Sequence, residues 1–414
     1  MTSRPTRQPV LHAAISRYGR GVSVSLATAM LCVAAQAQST DTIKIGVLTD
    51  FSGAYASWGA KGSVLAAEMA AEDFKKAQPT FAPKVEVVSA DFQLKPDLAV
   101  AISRKWIAEG VNAILDIPHS ASALAVNSLV RGTSAVALIS GSASNELVTE
   151  NCSPNMVQWT YDQYSMATPT VVSQVKGGSW FFLLQDSIPG KTFEGIARQA
   201  IERTGGKVIG DVRTPTGTSD FSSQLVQARA SKADGIFIVQ GGSDLVNALK
   251  QAQEFGIMNG KQKLAIAFML LPDVKGIGLA TAQGLTLTSP FYWDFDDKTR
   301  AFSKRFADRY EGKPPTEVQA GAYSAVTHYL KGVQAAKTTN GPLVVAKMKD
   351  LPVEDAAFGR GKLRGDGRMV HDMLLVEVKK PAESKSDWDL YKVVKKIPGD
   401  EAFRPMSKEC ALVK

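Results

Sequence analysis

Short apolar runs alternate with stretches of helical periodicity along most of this chain. The first pair consists of 43–48, a continuous apolar run, and 62–74, where apolar residues recur at helical spacing. A continuous apolar run of this length is typical of a strand that is buried on both faces. The loop between them is rich in small residues and carries Trp58 just before the predicted helix. The pattern predicts a strand, a loop and a helix in that order.

The same alternation continues in two series, separated by an interruption around Gln158 to Asp162. The predicted strands of the first series lie at 43–48, 84–91, 111–117 and 135–140, and those of the second at 180–184, 207–215, 235–240, 264–268 and 284–290. Residues 296–350 are predicted to be mainly helical, and the tail after Gly359 to form short strands with a turn at 365–367. Such alternation predicts an α/β fold of two doubly wound, Rossmann-like lobes.

Breaks in this alternation predict three crossings between the lobes, near 160, 289 and 358. Residues 38–160 and 289–357 are assigned to an N-terminal lobe, and residues 161–288 and 358–414 to a C-terminal lobe. A length of 414 residues agrees with more than one domain. Two lobes joined by three connections predict a hinge between them.

Residues 1–37 differ from the rest of the chain. Four arginines precede an apolar run at 21–35, and the sequence Ala35-Gln36-Ala37 ends that segment. This order is typical of a secretory signal peptide with an A-x-A cleavage site. A membrane anchor is the alternative, although the apolar run is short for a span. We therefore predict export to the periplasm as a soluble protein that begins at Gln38.

Composition and motifs give little support to a nucleic acid partner, a cofactor or catalysis. The net charge is +8, half of it from the four leader arginines, and no basic run carries interleaved aromatic residues. Residues 185–193 resemble a phosphate-binding loop, but Gln185 stands where the first glycine is required. The pattern G-x-S-x-G is absent, and no third residue completes a triad with His119 and Ser120. We expect no enzyme activity and no cofactor; a secreted hydrolase is the alternative from another class.

Cys152 and Cys410 are the cysteines that remain once the leader, which contains Cys32, is removed. In an oxidising compartment an isolated pair most simply forms a disulfide. Two free buried thiols are the alternative. A metal site has less support, because the sequence contains no C-x-x-C motif and few histidines. We expect a disulfide that ties a mid-chain loop to the C-terminal tail, and no metal ion.

Small hydroxyl residues and aromatic rings follow several predicted strands of the first series. Trp58, His119-Ser120 and 142–144 each lie in a loop at the carboxyl end of a strand. Ligands of open α/β sheets bind at this edge, where helix N-termini offer N–H groups to a carboxylate. Taken singly, Trp58 could pack beneath its own loop, and each serine could cap a helix. Their recurrence at equivalent places favours a carboxylate-binding site.

Segments throughout the chain resemble those of one protein family. They are TIKIGVLTDFSGAYASWGAKGSVLAAEMAAEDF, SADFQLKPDLAV, LDIPHSASALAV, NCSPNMVQWTYD, TSDFSSQLVQARA, LKQAQEFGI and FYWDFDDKTRAFSKRF. Their order and spacing resemble the periplasmic substrate-binding proteins of branched-chain amino acid type ABC importers, the type I leucine-binding family, over residues 41–414. The resemblance implies a flytrap of two lobes joined by three crossovers, with ligand capture in the cleft and delivery to a membrane permease. A monomer is expected; a sensor for a signalling receptor is the alternative function.

The resemblance implies ligand-binding roles for residues of the first lobe. The family's aromatic lid position falls on Trp58. Its first carboxylate-binding loop corresponds to His119 and Ser120. Its second carboxylate-binding loop corresponds to Ser142, Ala143 and Ser144, and the implied contacts are the backbone of Ser142 and the hydroxyl of Ser144.

In the second lobe the resemblance is weaker. Pro189 stands where the family usually has an aromatic residue, and Gln240 and Gly241 match the next loop. The acid that holds the ligand's ammonium in amino acid binders would fall at 268–270, around Met269, where this chain is apolar.

This departure bears on the identity of the ligand. Asp273 lies a few residues beyond the expected position of the acid, and the sequence leaves open whether it reaches the ligand. Burying an ammonium without a carboxylate is unfavourable by several kcal/mol. We therefore hypothesise a carboxylate ligand without an α-ammonium, such as an aromatic or keto acid, as an alternative to leucine or valine.

Overall fold

The computed structural model describes residues 42–81, 83–258 and 260–413. The predicted signal peptide at 1–37 therefore lies outside the described residues. Within those ranges, no helix combines the length and the apolar character that crossing a membrane requires. The described part of the chain belongs to one compact unit, Gln38–Lys414.

Strands and helices alternate along the described chain as follows. The strands are β1 (Thr42–Thr49), β2 (Lys84–Asp91), β3 (Ala113–Asp116), β4 (Val136–Ile139), β5 (Met156–Gln158), β6 (Ser179–Gln185), β7 (Lys207–Thr214), β8 (Gly235–Val239), β9 (Lys263–Ile266), β10 (Thr286–Ser289), β11 (Val353–Asp355), β12 (Gly359–Leu363), β13 (Met369–His371), β14 (Met373–Val378) and β15 (Tyr391–Ile397). The helices are α1 (Ala60–Ala77), α2 (Pro96–Ala108), α3 (Ser120–Val130), α4 (Gln163–Gln174), α5 (Ile188–Arg203), α6 (Ser222–Ala230), α7 (Ser243–Glu254), α8 (Leu271–Ile277), α9 (Leu279–Ala282), α10 (Asp297–Ala307), α11 (Glu317–Ala336), α12 (Gly341–Asp350) and α13 (Gly399–Ala402).

The first lobe is built on a five-stranded parallel sheet with the order β2-β1-β3-β4-β5. Strand β1, which lies between β2 and β3, is buried along most of its length, as its continuous apolar sequence predicts. On one face α1 and α11 pack together, with Phe74 and Tyr329 in a shared core. On the other face α2 and α3 pack together, with Trp106 and Val126 in a second core. Helices therefore cover both faces of the sheet.

The second lobe is built on a four-stranded parallel sheet with the order β7-β6-β8-β9. Hydrophobic cores lie on both of its faces, one around Leu183 and Leu249 and the other around Phe182 and Phe193. The prediction of two doubly wound α/β lobes is thus confirmed. The predicted strand at 284–290 corresponds to β10, which pairs antiparallel with β14 in a separate sheet instead of extending this one.

The chain after α12 divides between the two lobes. Leu363 and Met369, in the hairpin of β12 and β13, pack into the core of the first lobe. Leu374 and Val376 of β14 pack into the core of the second lobe. The sequence assigned everything from 358 onward to the second lobe, whereas the structure places 359–371 with the first. Because glycines and charged residues dominate this hairpin, its sequence does not indicate which core receives its few apolar side chains.

A disulfide joins Cys152, in the loop before β5, to Cys410 in the C-terminal tail. The two Cα atoms are 5.6 Å apart, and 258 positions of sequence separate them. Both cysteines are buried. The disulfide holds the tail, which follows α13, against the first lobe.

Candidate functional site

A cavity of about 30 Å³ lies between the two lobes. Its walls include six of the residues that the sequence predicted to bind ligand: Trp58, His119, Ser120, Ala143, Pro189 and Gln240. Residues that the sequence did not predict complete the walls: Tyr55, Pro118, Gly141, Tyr161, Gln185, Ser187, Phe193, Val239 and Phe268. The cavity lies at the carboxyl ends of the strands of both parallel sheets, where open α/β folds bind ligands.

The loop between β1 and α1 is shaped by the carboxylate of Asp50. One oxygen of Asp50 accepts the N–H of Gly53 at 2.6 Å, and the other accepts the N–H of Tyr55 at 2.9 Å. This turn brings the rings of Tyr55 and Trp58 into parallel stacking, with centroids 4.3 Å apart. The hydroxyl of Tyr55 donates to Gln185 Oε1 of the second lobe at 3.1 Å. Tyr55, which lies in the same loop as Trp58, was not among the predicted site residues.

Trp58 reaches across to the second lobe instead of packing only beneath its own loop. Its indole Nε1 donates to Asp273 Oδ1 at 2.8 Å, and the N–H of Leu270 donates to Asp273 Oδ2 at 2.9 Å. Burial raises the pKa of the Asp273 carboxyl to about 6. Asp273 is not among the residues that line the cavity. The sequence left open whether Asp273 reaches the ligand. In the structure its carboxylate accepts the hydrogen bond of the Trp58 indole.

The loop between β3 and α3 places the N-terminus of α3 against the cavity. His119 caps the helix with an extended backbone conformation, and Ser120 is its first residue. The first N–H groups of a helix have no partner within the helix, so they are available to a ligand. His119 Nδ1 lies 2.9 Å from Ser122 Oγ, and burial lowers the pKa of the His119 imidazole below its ordinary value. Burial therefore favours the uncharged form of the ring.

Asp116, which the sequence did not single out, lies beneath this loop. Its backbone φ is +82°, and its carboxyl is fully buried, which raises its pKa to about 6. Two glycines make room for it. A Cβ built on Gly59 would lie 2.4 Å from one carboxyl oxygen, and a Cβ built on Gly141 would lie 2.5 Å from the other. These glycines let the loops after β1 and β4 close around Asp116.

The serines of the loop after β4 fix one another. Ser142 Oγ donates to Ser120 Oγ at 3.2 Å, and the N–H of Ser144 donates to Ser142 Oγ at 3.3 Å. The Ser144 hydroxyl donates to Glu146 at 2.5 Å, and Ser144 does not line the cavity. The implied contact between this hydroxyl and the ligand therefore differs from the observed geometry. Ala143 lines the cavity in this loop.

The wall from the second lobe begins at the N-terminus of α5. Ser187 caps the helix by accepting the N–H of Gly190 at 3.1 Å, and Pro189 lies in the first turn. Phe193 from the same helix stacks on Phe268, with centroids 5.1 Å apart and planes 15° apart. Phe268 also meets Trp58 edge to face at 5.9 Å. The aromatic surface that the family's pattern would place at Pro189 is thus supplied by Phe193 and Phe268.

The loops after β8 and β9 complete this wall. Gln240 lines the cavity, and its Nε2 donates to Thr214 Oγ1 at 3.0 Å. Gly241 permits close approach of the indole, because a Cβ there would lie 3.0 Å from Trp58. Met269 does not line the cavity but is buried in the core of the second lobe. In an extended chain successive side chains point to opposite sides, so Phe268, next to Met269, is the residue that faces the cavity.

None of the described residues that line this cavity is an aspartate, glutamate, lysine or arginine. The walls combine aromatic rings, hydroxyls, amides and the N-termini of α3 and α5. Such a site can bind a carboxylate through N–H and O–H donors, but it offers no counter-charge to an ammonium. Within the described ranges, no group of three or more His, Cys, Asp or Glu residues could hold a metal ion.

A second buried carboxylate links the lobes beside the cavity. Glu317, the first residue of α11, accepts the N–H of Leu271 at 3.0 and 3.2 Å through its two oxygens, and the hydroxyl of Ser289 at 3.2 Å. Burial raises the pKa of the Glu317 carboxyl to about 8. The neighbouring Thr316 donates its hydroxyl to the carbonyl of Trp58 at 2.5 Å. No sequence signal distinguished Glu317 from the other acids in helical segments.

Comparison with known proteins gives one family. The model of a family described as periplasmic binding protein matches residues 42–385. A crystal structure of a periplasmic binding protein from Burkholderia mallei is 41% identical, covers 90% of this chain and 100% of its own, and has a TM-score of 0.84. A branched chain amino acid ABC transporter periplasmic ligand-binding protein from Burkholderia xenovorans is 40% identical, with coverage of 88% and 97% and a TM-score of 0.75.

A curated relative gives a shorter match. The Leu/Ile/Val-binding protein homolog 6 of Brucella abortus is 29% identical over 216 residues. The matched region is 51% of this chain and 54% of that protein, so the match spans about half the length of the relative.

Proposed function

This chain belongs to the periplasmic binding protein family, and on that premise we propose that it is the solute-binding component of an ATP-binding-cassette importer. It captures a small carboxylate in the cleft between its lobes and delivers it to a membrane permease. Export directed by the leader at 1–37 brings it to the periplasm. It binds its ligand as a monomer and catalyses no reaction.

The observation that carries this proposal is the chemistry of the cavity, which presents donors but no formal charge. Ser120 Oγ accepts the hydrogen bond from Ser142, so the hydroxyl hydrogen of Ser120 remains for a ligand. The same residue opens α3, whose N-terminal N–H groups and dipole favour an anion. Together these donors support a carboxylate docked at Ser120 on the first lobe.

The hydrogen bonds of Asp273 support a particular class of ligand. Its carboxylate is bonded to the indole of Trp58 and to the backbone of Leu270, so it is not free to bind an α-ammonium. An ammonium in this cavity would lose several kcal/mol of hydration free energy without a compensating charge. Rings of five residues line the cavity and favour a flat ligand: Tyr55, Trp58, Tyr161, Phe193 and Phe268. An aromatic or keto acid without an α-ammonium therefore fits better than leucine or valine.

Binding requires the lobes to part and close again. A cavity of about 30 Å³ is too small for an organic acid, so the acid enters only when the lobes separate. Contacts such as the hydrogen bond from the N–H of Ser243 to the carbonyl of Ala54 break on opening and form again on closure. The ligand favours closure to the extent that it contacts both lobes.

Titration calorimetry of the purified protein tests this proposal. Benzoate, phenylpyruvate, 4-methyl-2-oxopentanoate, leucine and valine are the ligands to compare. We expect micromolar binding of at least one aromatic or keto acid and no heat from leucine or valine. Tight binding of leucine or valine, together with no binding of the aromatic and keto acids, would overturn the proposed ligand class. No binding of any of these carboxylates would overturn the proposed function itself.

A further inference from the structure

From the geometry of the second-lobe wall we infer that the ligand is a hydroxylated aromatic acid, whose hydroxyl is bound by the side-chain amide of Gln240. The inference rests on the function proposed above and specifies the substrate class of the same site. It assigns the two ends of the ligand to different lobes, the carboxylate to Ser120 and the hydroxyl to Gln240.

Gln240 has a buried side-chain amide, and one of its two polar atoms has no hydrogen-bond partner among the described residues. Its side chain follows β8, lines the cavity and is 1% exposed. Nε2 donates to Thr214 Oγ1 at 3.0 Å, which fixes the amide in the wall. Across the ranges that the structure describes, Oε1 has no hydrogen-bond partner. A buried acceptor without a partner is unfavourable, so the site is complete only when a donor reaches Oε1.

The surroundings of Gln240 leave the ligand as the source of that donor. Its neighbours along the cavity wall are apolar, with Val239 before it and Phe268 on the adjoining loop. The other amide of this wall, Gln185, uses its Oε1 to accept the hydroxyls of Tyr55 and Ser187, both at 3.1 Å. Those hydroxyls are therefore engaged with Gln185. Gln185 Nε2 is also buried without a hydrogen-bond partner among the described residues, so it does not reach Gln240 Oε1. An aliphatic side chain of an amino acid would leave Oε1 unpartnered.

A hydroxyl on a flat ring matches these conditions best. It is neutral, as the uncharged walls require, and it donates a single hydrogen bond to an acceptor such as Oε1. The stacked pair of Phe193 and Phe268 lies beside Gln240 and provides aromatic surface for the ring that carries it. A site built to hydrogen-bond a ligand hydroxyl discriminates strongly against the analogue that lacks it.

The arrangement also explains how such a ligand would hold the lobes together. Ser120 opens α3 in the first lobe, and Gln240 follows β8 in the second. A ligand bonded at both ends contacts each lobe through a polar group, and its binding energy then favours the closed arrangement. An acid without the hydroxyl keeps the contact at Ser120 but loses the directional contact at Gln240.

Calorimetry with matched pairs of acids tests this inference. The pairs are benzoate with 4-hydroxybenzoate, and phenylpyruvate with 4-hydroxyphenylpyruvate. We expect the hydroxylated member of at least one pair to bind about tenfold more tightly or better than its parent. In Gln240→Met, which removes both polar atoms at similar length, that ratio should fall to about one.

Two further variants keep the test decisive. Gln251→Met removes an amide of α7 that bonds to the backbone of Phe221 and Ser219 and does not line the cavity, so it should preserve the ratio. If Gln240→Met does not fold, Thr214→Val releases the amide of Gln240 from its anchor and should lower the ratio as well.

The outcomes separate this inference from the proposed function. Parent and hydroxylated acids that bind equally well would overturn the inference and leave carboxylate capture intact. A ratio that survives in Gln240→Met or in Thr214→Val would also overturn it. Absence of binding by all of these acids would overturn both proposals together.

Discussion

Trp58 Nε1 donates a hydrogen bond of 2.8 Å to Asp273 Oδ1, and this bond joins the first lobe to the second. A reciprocal contact lies beside it, because Glu317 of the first lobe accepts the N–H of Leu271 in the second. Each lobe thus extends one buried carboxylate to the other. The acid nearest to the expected ammonium position holds the indole in place, which links the choice of ligand to the closure of the lobes.

The bond between Trp58 and Asp273 should contribute measurably to stability. In a double-mutant cycle with Trp58→Phe and Asp273→Asn, we expect a coupling free energy of about 1.5–3 kcal/mol, because the acceptor is charged and buried. Urea unfolding of the four proteins measures this coupling. Trp388→Phe is the control for loss of the larger ring, because the indole of Trp388 makes no hydrogen bond among the described residues. A coupling near zero would show that the two residues are only neighbours.

The contribution of the buried carboxyls Glu317 and Asp273 to stability should fall as the pH rises towards about 8. Burial raises the pKa of Glu317 from 4.5 to about 8 and that of Asp273 from 3.8 to about 6. The folded state therefore binds more protons than the unfolded state between the two pKa values of each group. The stabilising effect of protonation is complete below about pH 4 and is lost as the pH rises towards about 8.

Glu317→Gln isolates this dependence, because it keeps the side chain's length but cannot ionise. Urea midpoints at pH 5, 7 and 8.5 should fall more steeply for the natural protein than for the variant. The exposed Glu254→Gln serves as the control and should follow the natural protein. Parallel curves for the natural protein and Glu317→Gln would contradict the expectation.

The fold was predictable from the sequence because its strands are continuous apolar runs. β1 and β6 are buried along most of their length, so the apolar pattern alone located them. The hairpin of β12 and β13 was assigned to the wrong lobe, since Leu363 and Met369 are too few to indicate a core. Lobe assignment in such a segment depends on long-range packing, which a local pattern does not contain.

Two residues of the candidate cavity were predictable because each lies at or shortly after the carboxyl end of a strand. Ser120 and Gln240 were found in this way, and both line the cavity. Met269 was predicted to bind ligand, but its neighbour Phe268 lines the cavity. The sequence does not show which side of an extended chain faces inward. Glu317 was missed since its partner Leu271 lies 46 positions away, on a different lobe.

Loss of the disulfide should destabilise the protein without changing its ligand class. Cys152→Ser combined with Cys410→Ser should lower the free energy of unfolding by about 2–4 kcal/mol, because the crosslink restricts the unfolded chain. The cysteines do not line the cavity. Urea unfolding with and without dithiothreitol measures the effect, and the double variant should not respond to the reductant. A natural protein that is equally indifferent to reductant would contradict the prediction.

Gly241→Ala should weaken ligand binding through the closed state. Its Cβ would lie 3.0 Å from Trp58 and 3.2 Å from Phe268, so the indole must shift when the lobes close. We expect the dissociation constant to rise about tenfold, which corresponds to about 1.4 kcal/mol. Gly195→Ala on α5 is the matched control, because a Cβ there meets no atom within 4 Å. Calorimetry with the best acid measures both variants, and equal affinities for them would show that the indole does not need this space.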